Sequence, residues 1–205
     1  VPDFAEPLRE TDADPDPLQQ FASWFSQAVS ADIHLPEAAA LATAAPDGTP
    51  SVRMVLVKEP GAGGFVFYSN YGSRKGEELR ANPRAALLFY WDALGRQVRV
   101  EGGVQRTDAA ASAAYVRSRP RASQLSALAS PQSTVIESRQ QLEEWVDELA
   151  ARYKDDELPV PENWGGFRLV PEVIEFWQHR EDRLHDRLRY RLRNDGSWLL
   201  ERIAP

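Results

Sequence analysis

A largely antiparallel β-barrel with helices at its periphery, a mainly β α+β chain, is the architecture this sequence predicts, and three observations carry it. About six or seven apolar runs rich in β-branched and aromatic residues are separated by turns containing Gly, Pro, Asp or Asn. Helical periodicity falls irregularly between these runs, whereas a doubly wound parallel sheet needs strict alternation. No repeat or linker divides the 205 residues, so one sizeable core is expected, with residues 1–15 as an extended arm and 16–205 as a single domain.

The elements follow in order. Residues 1–15 contain three prolines and several acids without periodicity. Asp16-Pro17 reads as an N-cap followed by proline at the first helical position, opening a helix whose apolar face is Leu18, Phe21, Ala22, Phe25, Ala28 and Val29. Ala38–Ala45 is helical by composition. The turn Pro46-Asp47-Gly48-Thr49 leads into the apolar run Val52–Val57, however, so a hairpin strand is favoured there. A glycine loop at Gly61-Ala62-Gly63-Gly64 then joins that run to Phe65-Val66-Phe67-Tyr68-Ser69-Asn70. Ser73 caps a helix that stops at Asn82-Pro83, because proline disfavours helical geometry in the residue before it. Ala85–Trp91 and Gln97–Val104 are strands joined through Asp92-Ala93-Leu94-Gly95. Asp108 caps a short helix that Arg119-Pro120 breaks or restarts, and Leu142, Trp145, Val146 and Leu149 mark another over Ser138–Tyr153. After the polar connection Asp155–Pro161, strands return from Gly166 and end in a hairpin at Asn194-Asp195-Gly196 between Leu188–Leu192 and Trp198–Ile203.

Composition excludes several functions. A formal charge of −7 argues against general nucleic-acid or anionic-membrane binding. The absence of cysteine removes disulfides, thiolate catalysis and Cys-ligated metals, and His34, His179 and His185 are not spaced as a metal site, so no metal is expected. No apolar run approaches the roughly 18 residues of a membrane span. Val1-Pro2-Asp3-Phe4 has no signal-peptide pattern, so the chain is expected to be cytoplasmic, and the missing initiator methionine suggests processing or removal of preceding residues. There is no Walker loop, Gly-x-Gly-x-x-Gly after a strand, or Gly-x-Ser-x-Gly elbow.

On this acidic chain, local clusters of cations stand out. Arg53 and Lys58 lie roughly 16 Å apart on an extended strand and point to opposite faces, so they suit different anions. A helix starting after Ser73 presents backbone N–H groups together with Arg74 and Lys75. Arg183, His185 and Arg187 share one face if they lie on a strand; Tyr115, Arg119 and Ser123 line one face if they are helical. A plainer reading stands beside each. The first four cations also fit solvated strand and helix ends, the second group a solvated strand face neutralised by Glu181, Asp182 and Asp186, and the third a charged loop.

Several short motifs occur in a fixed order. They are Arg53–Lys58, Phe67-Tyr68-Ser69-Asn70 with Ser73-Arg74-Lys75, Arg96-Gln97-Val98, Ser118-Arg119-Pro120-Arg121 with Ser123-Gln124, Pro131-Gln132-Ser133, Trp164-Gly165-Gly166-Phe167-Arg168, Glu175-Phe176-Trp177-Gln178 and Arg183-Leu184-His185-Asp186-Arg187. Each alone is unspecific; as an ordered set from Leu18 to Pro205 they resemble the pyridoxine/pyridoxamine 5′-phosphate oxidase family. The resemblance implies an antiparallel FMN-binding split β-barrel, working as a homodimer with FMN at the subunit interface. It implies cofactor binding by Arg53, Met54, Val55, Leu56, Val57, Lys58, Tyr68, Ser69, Arg74, Lys75, Gln97, Gln132, Ser133, Trp177 and Arg187. The substrate phosphate would meet Lys58, Tyr115, Arg119 and Ser123, while Arg183 and His185 would bind the pyridine end and act as the catalytic pair. The implied reaction is oxidation at C4′ of pyridoxine or pyridoxamine 5′-phosphate to pyridoxal 5′-phosphate, with O₂ as acceptor and H₂O₂ as product.

Three places depart from the family pattern. Ser126-Ala127-Leu128 stands where many members have Gly-Ala-Trp, His179 replaces a common Gly, and the arm lacks an Arg-x-x-Tyr segment. The arm is closer to the FMN oxidases of phenazine biosynthesis, which act on a reduced tricyclic precursor; a non-catalytic flavin or pyridoxal phosphate carrier is the other alternative. Lys58, Tyr115, Arg119 and Ser123 together favour the vitamin B6 reading, since a tricyclic carboxylate has no need of a phosphate pocket.

Overall fold

Local capping chemistry determines where the helices begin in the computed structural model, which describes residues 7–61, 63–154 and 156–205. Helix α1 (Pro17–Ser30) starts at Asp16, whose carboxylate accepts from Leu18 N at 2.9 Å. Ser73, Asp108 and Ser138 cap α2 (Arg74–Ala81), α3 (Ala109–Ser118) and α5 (Arg139–Arg152) in the same way. Helix α4 (Arg121–Ala129) restarts directly after Pro120 and has no side-chain cap. On α1 the buried face is Pro17, Gln20, Phe21, Trp24 and Ala28. That face is rotated from the expected one. Ala22 and Val29 point to solvent, because the large Trp24 ring takes the inward position against Phe176.

Eight strands form one antiparallel sheet among the described residues: β1 (Ala38–Ala44), β2 (Pro50–Gly61), β3 (Gly64–Asn70), β4 (Arg84–Trp91), β5 (Arg96–Arg106), β6 (Trp164–Gln178), β7 (Asp186–Leu192) and β8 (Trp198–Arg202). Their order is β3-β2-β1-β4-β5-β6-β7-β8, and β3 also pairs with β6. That second pairing closes β1–β6 into a six-stranded barrel and leaves β7–β8 as an extension of β6. The alanine-rich β1 is a strand because it lies between β2 and β4, with Ala40 opposite both Met54 and Leu88. Tertiary pairing on both edges overrides alanine's helical preference.

Alternate residues fill the barrel with Leu41, Phe65, Phe67, Leu87, Phe89 and Phe176, all fully buried. Phe21 of α1 packs edge-on against Phe65 and Phe89 at 4.9 and 5.0 Å between ring centres, so the helix covers part of this core. Residues 1–6 of the expected arm lie outside the described residues. Beyond them, Leu8 N donates to Asp186, Arg202 pairs with Glu10, and Tyr190 Oη donates to Asp14 O at 2.7 Å. These contacts hold the arm's second half against the β7–β8 hairpin.

Strand β6 is stitched to the start of α3 at its double glycine. Gly166 N donates to Ser112 Oγ at 3.2 Å and Thr107 N donates to Gly166 O at 3.0 Å. A Cβ at Gly165 would lie 2.1 Å from Tyr71 Oη and 2.8 Å from Ser112 Oγ. Gly165→Ala is therefore expected to cost about 1–3 kcal/mol, through overpacking of a buried contact. A thermal melt should fall by roughly 2–4 °C for each kcal/mol, and an unchanged melting temperature would show that the contact yields freely.

Candidate functional site

The predicted residues separate into two groups on one chain. The first gathers where β3 runs into α2. Lys75, only 8% exposed, donates from Nζ to Ser69 Oγ at 2.9 Å, Ser73 Oγ at 3.1 Å and Gln132 Oε1 at 2.8 Å. All three acceptors are neutral. Burial, reinforced by the charge of Arg53 and only partly offset by Glu78, brings the Lys75 ammonium down to about 8. Gln132 reaches the group from an exposed loop after α4, where the neighbouring Ser133 has a positive φ of 71°.

Arg53 and Arg74 meet a residue that the sequence reading missed. Glu78, buried on α2, accepts from Arg53 Nη2 at 3.2 Å and Arg74 Nε at 2.9 Å, and from Thr43 and Ser51 at 2.5 Å each. Burial opposes its charge. Hydrogen bonds from Ser51, Thr43 and Arg74, together with Arg53, outweigh that penalty and hold the carboxyl at about 2. Arg53 also donates to Leu41 O, Thr43 and Ser51, so its two Nη groups are engaged inside the chain. The sequence signal for Glu78 was its i, i+4 spacing from Arg74 on one helix face.

Along β2 the side chains alternate as expected. Val55 and Val57 turn towards the core, Val57 being 1% exposed, whereas Met54, Leu56 and Lys58 face outwards. Lys58 pairs with Glu37 at 3.3 Å. Any ligand contact at Val57 must come from its backbone.

Tyr115, Arg119 and Ser123 do not share a helical face. Helix α3 ends at Ser118, Arg119 is extended (φ −76°, ψ 152°), and α4 begins after Pro120. Proline's preference for an extended preceding residue accounts for the break. Packing still brings Arg119 beside the first group. A cavity of about 300 Å³ is lined by Tyr68, Ser69, Asn70, Arg119, Gln132 and Trp164. Tyr68 stacks on Tyr115 at 3.7 Å, and Arg119 Nη1 is buried without a hydrogen-bond partner.

The second group lies at the other end of β6. Gln97, Trp177 and Arg187 are register neighbours on β5, β6 and β7. With His185 they line a cavity of about 270 Å³. Arg187 is held by Glu175 at 2.7 Å and donates to Ala204 O at 3.0 Å; Glu175 also pairs with Arg99 at 2.6 Å. The expected common strand face for Arg183, His185 and Arg187 is not formed. Arg183 lies in a 3₁₀ turn (Glu181–Arg183) with φ 61°, and β7 starts only at Asp186. His185 sits 4.6 Å from the Trp177 ring and 5.2 Å from His179, and its Nδ1 accepts from Arg180 N at 3.1 Å. Burial, then His179 and Arg183, pull its pKa below the usual imidazole value.

Tyr68 of the first group is opposite Gly166 on β6, and Gln97 of the second is opposite Trp177. Those β6 residues are separated by roughly 36 Å of strand. Between the groups, the outer face of β2-β1-β4 carries Val52, Met54, Leu56, Leu88 and Tyr90; Met54 is 65% exposed. A contiguous apolar face of this kind suits contact with another apolar surface. Among the described residues no helix is long and apolar enough to cross a membrane, and no cluster of three or more His, Asp or Glu is placed to hold a metal.

Comparison with known proteins gives the family. The family profile described as pyridoxamine 5′-phosphate oxidase matches residues 25–178, and that of the pyridoxine 5′-phosphate oxidase C-terminal dimerisation region matches 164–205. A Rubrobacter xylanophilus protein named pyridoxine/pyridoxamine 5′-phosphate oxidase is 54% identical over 198 residues, covering 97% of this chain and 91% of its own. A Nostoc protein of the same name is 50% identical over 200 residues, covering 98% and 94%. The crystal structure of Burkholderia lata PhzG, in complex with tetrahydrophenazine-1-carboxylic acid, superposes with a TM-score of 0.90 at 31% identity, covering 100% of this chain and 97% of that one. With a profile match over most of its length and relatives of this identity, the chain belongs to the pyridoxine/pyridoxamine 5′-phosphate oxidase family of enzymes.

Proposed function

We propose that the chain is an FMN-dependent oxidase that converts pyridoxine or pyridoxamine 5′-phosphate to pyridoxal 5′-phosphate, with O₂ as acceptor and H₂O₂ as product. The observation that carries this reading is a pair of cations at or beside one cavity, neither hydrogen-bonded to a carboxylate among the described residues. Lys75 is bonded only to neutral oxygens, and Arg119 Nη1 has no partner. A buried cation is costly until it meets an opposite charge. Two such groups suit two phosphate monoesters, one on the flavin and one on the substrate.

The residues fit FMN. Ser69, Arg74, Lys75 and Gln132, with Ser133 beside them, would hold its phosphate end; Arg53, the β2 strand to Lys58 and Tyr68 would border it. Gln97, Trp177 and Arg187 are too far along β6 to join them within one chain. They would meet the same flavin from a second copy, across the apolar outer face, which makes the working unit a homodimer. When bound, FMN would supply the redox chemistry, hydride acceptance from C4′ and return of the electrons to O₂.

The protein's own share is positioning and electrostatics. Lys58, Tyr115, Arg119 and Ser123 would grip the substrate phosphate. At His185, Nδ1 already accepts from Arg180 N, so in the neutral ring Nε2 carries the proton. His185 is thereby a donor to the C4′ substituent, and Arg183 adds a cation beside it. Both would orient the C4′ substituent and stabilise charge beside it, the substituent's proton passing to solvent.

Anaerobic mixing of the FMN-loaded protein with pyridoxine 5′-phosphate tests the proposal. The flavin absorbance should bleach, and air should restore it with pyridoxal 5′-phosphate formed. No bleaching with either B6 phosphate would overturn it. Bleaching instead with tetrahydrophenazine-1-carboxylic acid, the compound bound in the PhzG structure, would favour an oxidase of a reduced tricyclic precursor.

A further inference from the structure

The geometry points to Trp164 as a positioning residue that holds the Arg119 guanidinium at the phosphate pocket while leaving its hydrogen bonds unspent. The inference rests on the reading that Arg119 meets the substrate phosphate. Trp164 is the first residue of β6, opposite Asn70 of β3, and is buried. The Arg119 guanidinium carbon lies 4.9 Å from the centre of its ring.

Few other contacts orient Arg119. It sits in the extended link between α3 and α4, outside either helix. Its backbone carbonyl accepts from Gln124 Nε2 at 2.7 Å, which fixes the main chain but not the guanidinium. No ion pair to it occurs among the described residues, and Nη1 is buried without a partner. The indole face is therefore its principal anchor.

The chemistry of that anchor matters. An aromatic face attracts a cation through its quadrupole without accepting the in-plane N–H bonds. A carboxylate in the same place would also hold the arginine, but it would use those donors and repel a phosphate dianion. Arg53 shows the contrast within this chain, since Glu78, Thr43, Ser51 and Leu41 O take both of its Nη groups. Trp164 also organises the adjoining rings. Tyr115 lies parallel to it at 6.0 Å and 1°, and Tyr68 at 5.9 Å and 13°. The close Gly165–Gly166 contact with α3 keeps this group in register.

The experiment compares Trp164→Leu, Trp164→Phe, Arg119→Ala and Trp164→Leu/Arg119→Ala as FMN-loaded proteins. Steady-state oxidation of pyridoxine 5′-phosphate gives kcat and KM, inhibition by inorganic phosphate gives Ki, and absorbance gives flavin content. Trp164→Leu should raise KM and the phosphate Ki together by about tenfold, with kcat within about threefold, as expected for loss of a buried cation–π contact. Trp164→Phe should recover part of that loss. On the Arg119→Ala background, Trp164→Leu should add less than about twofold, because the two act through one contact. Unchanged KM and Ki in folded Trp164→Leu would overturn the inference, as would a full tenfold effect without Arg119. If Arg119→Ala itself leaves KM unchanged, the phosphate reading fails first and the inference falls with it.

Discussion

Replacing Lys75 with methionine is expected to raise the FMN dissociation constant by at least about a hundredfold, since a buried cation and its anion are coupled by about 3–5 kcal/mol. The same change should leave the flavin-free protein as stable as the parent or more so. Methionine keeps the side chain's length and removes an ammonium bonded only to neutral oxygens. Weaker flavin binding in an unweakened fold separates a ligand-binding cation from a structural one. Fluorescence titration with FMN and a denaturant melt without it are the two measurements; unchanged affinity would remove Lys75 from the flavin site.

The pH dependence has a defined sign. In the flavin-free protein Lys75 loses its proton at about 8, below its ordinary value of 10.5, and a bound phosphate raises that pKa. FMN affinity should be level below pH 8 and fall above it, by up to about tenfold per pH unit. Stability of the flavin-free protein moves the other way. Between about 8 and 10.5 the unfolded chain holds a proton that the folded chain has released, so this residue's contribution rises with pH across that window. In Lys75→Met both dependences should disappear.

His185→Ala and Arg183→Ala are each expected to lower kcat about a hundredfold, comparable to removing one preorganised polar group from a reacting centre. KM should move only a few-fold, because neither residue contacts the phosphate in this reading. If kcat stays within a few-fold of the parent in both variants, the assignment is wrong. Protonation of His185 would cost the Nδ1 acceptor used by Arg180 N. The pKa of His185 lies below the usual 6.5 through burial, His179 and Arg183. Turnover should therefore persist as pH falls through 6.5 and decline only below it. The His185 contribution to stability is complete above 6.5 and lost as pH falls towards the folded pKa.

The sequence reading was most accurate where the controlling interaction is local. Asp16, Ser73, Asp108 and Ser138 cap the helices predicted for them, and the turns at Asp47-Gly48 and Asp195-Gly196 join the strand pairs expected. Each of these features is decided within a few residues. It was least accurate where a local period was extended across a break. Tyr115, Arg119 and Ser123 were to share a face only if helical, and Pro120 interrupts that helix; Arg183 and His185 were to share one only on a strand, which begins at Asp186. The α1 stripe had the correct period but the wrong rotation, because Trp24 and Ala22 compete for the inward position and only the barrel's cavity favours the larger ring.

By itself the sequence determined the element order, the antiparallel class, the family and the residue types expected to meet two phosphates. Only the tertiary structure decided which of those residues meet. The β3–β6 pairing that closes the barrel joins Tyr68 to Gly166 across about a hundred positions, and side-chain alternation shows which way a residue points, not which strand it faces. Tertiary packing likewise decided the capture of Arg53 by Glu78, the meeting of Arg119 with Trp164, and the separation of Lys75 from Trp177 into two groups. The physical reason is common to all of them. These contacts depend on burial and charge between segments distant in the chain, and neither exists until the barrel has closed.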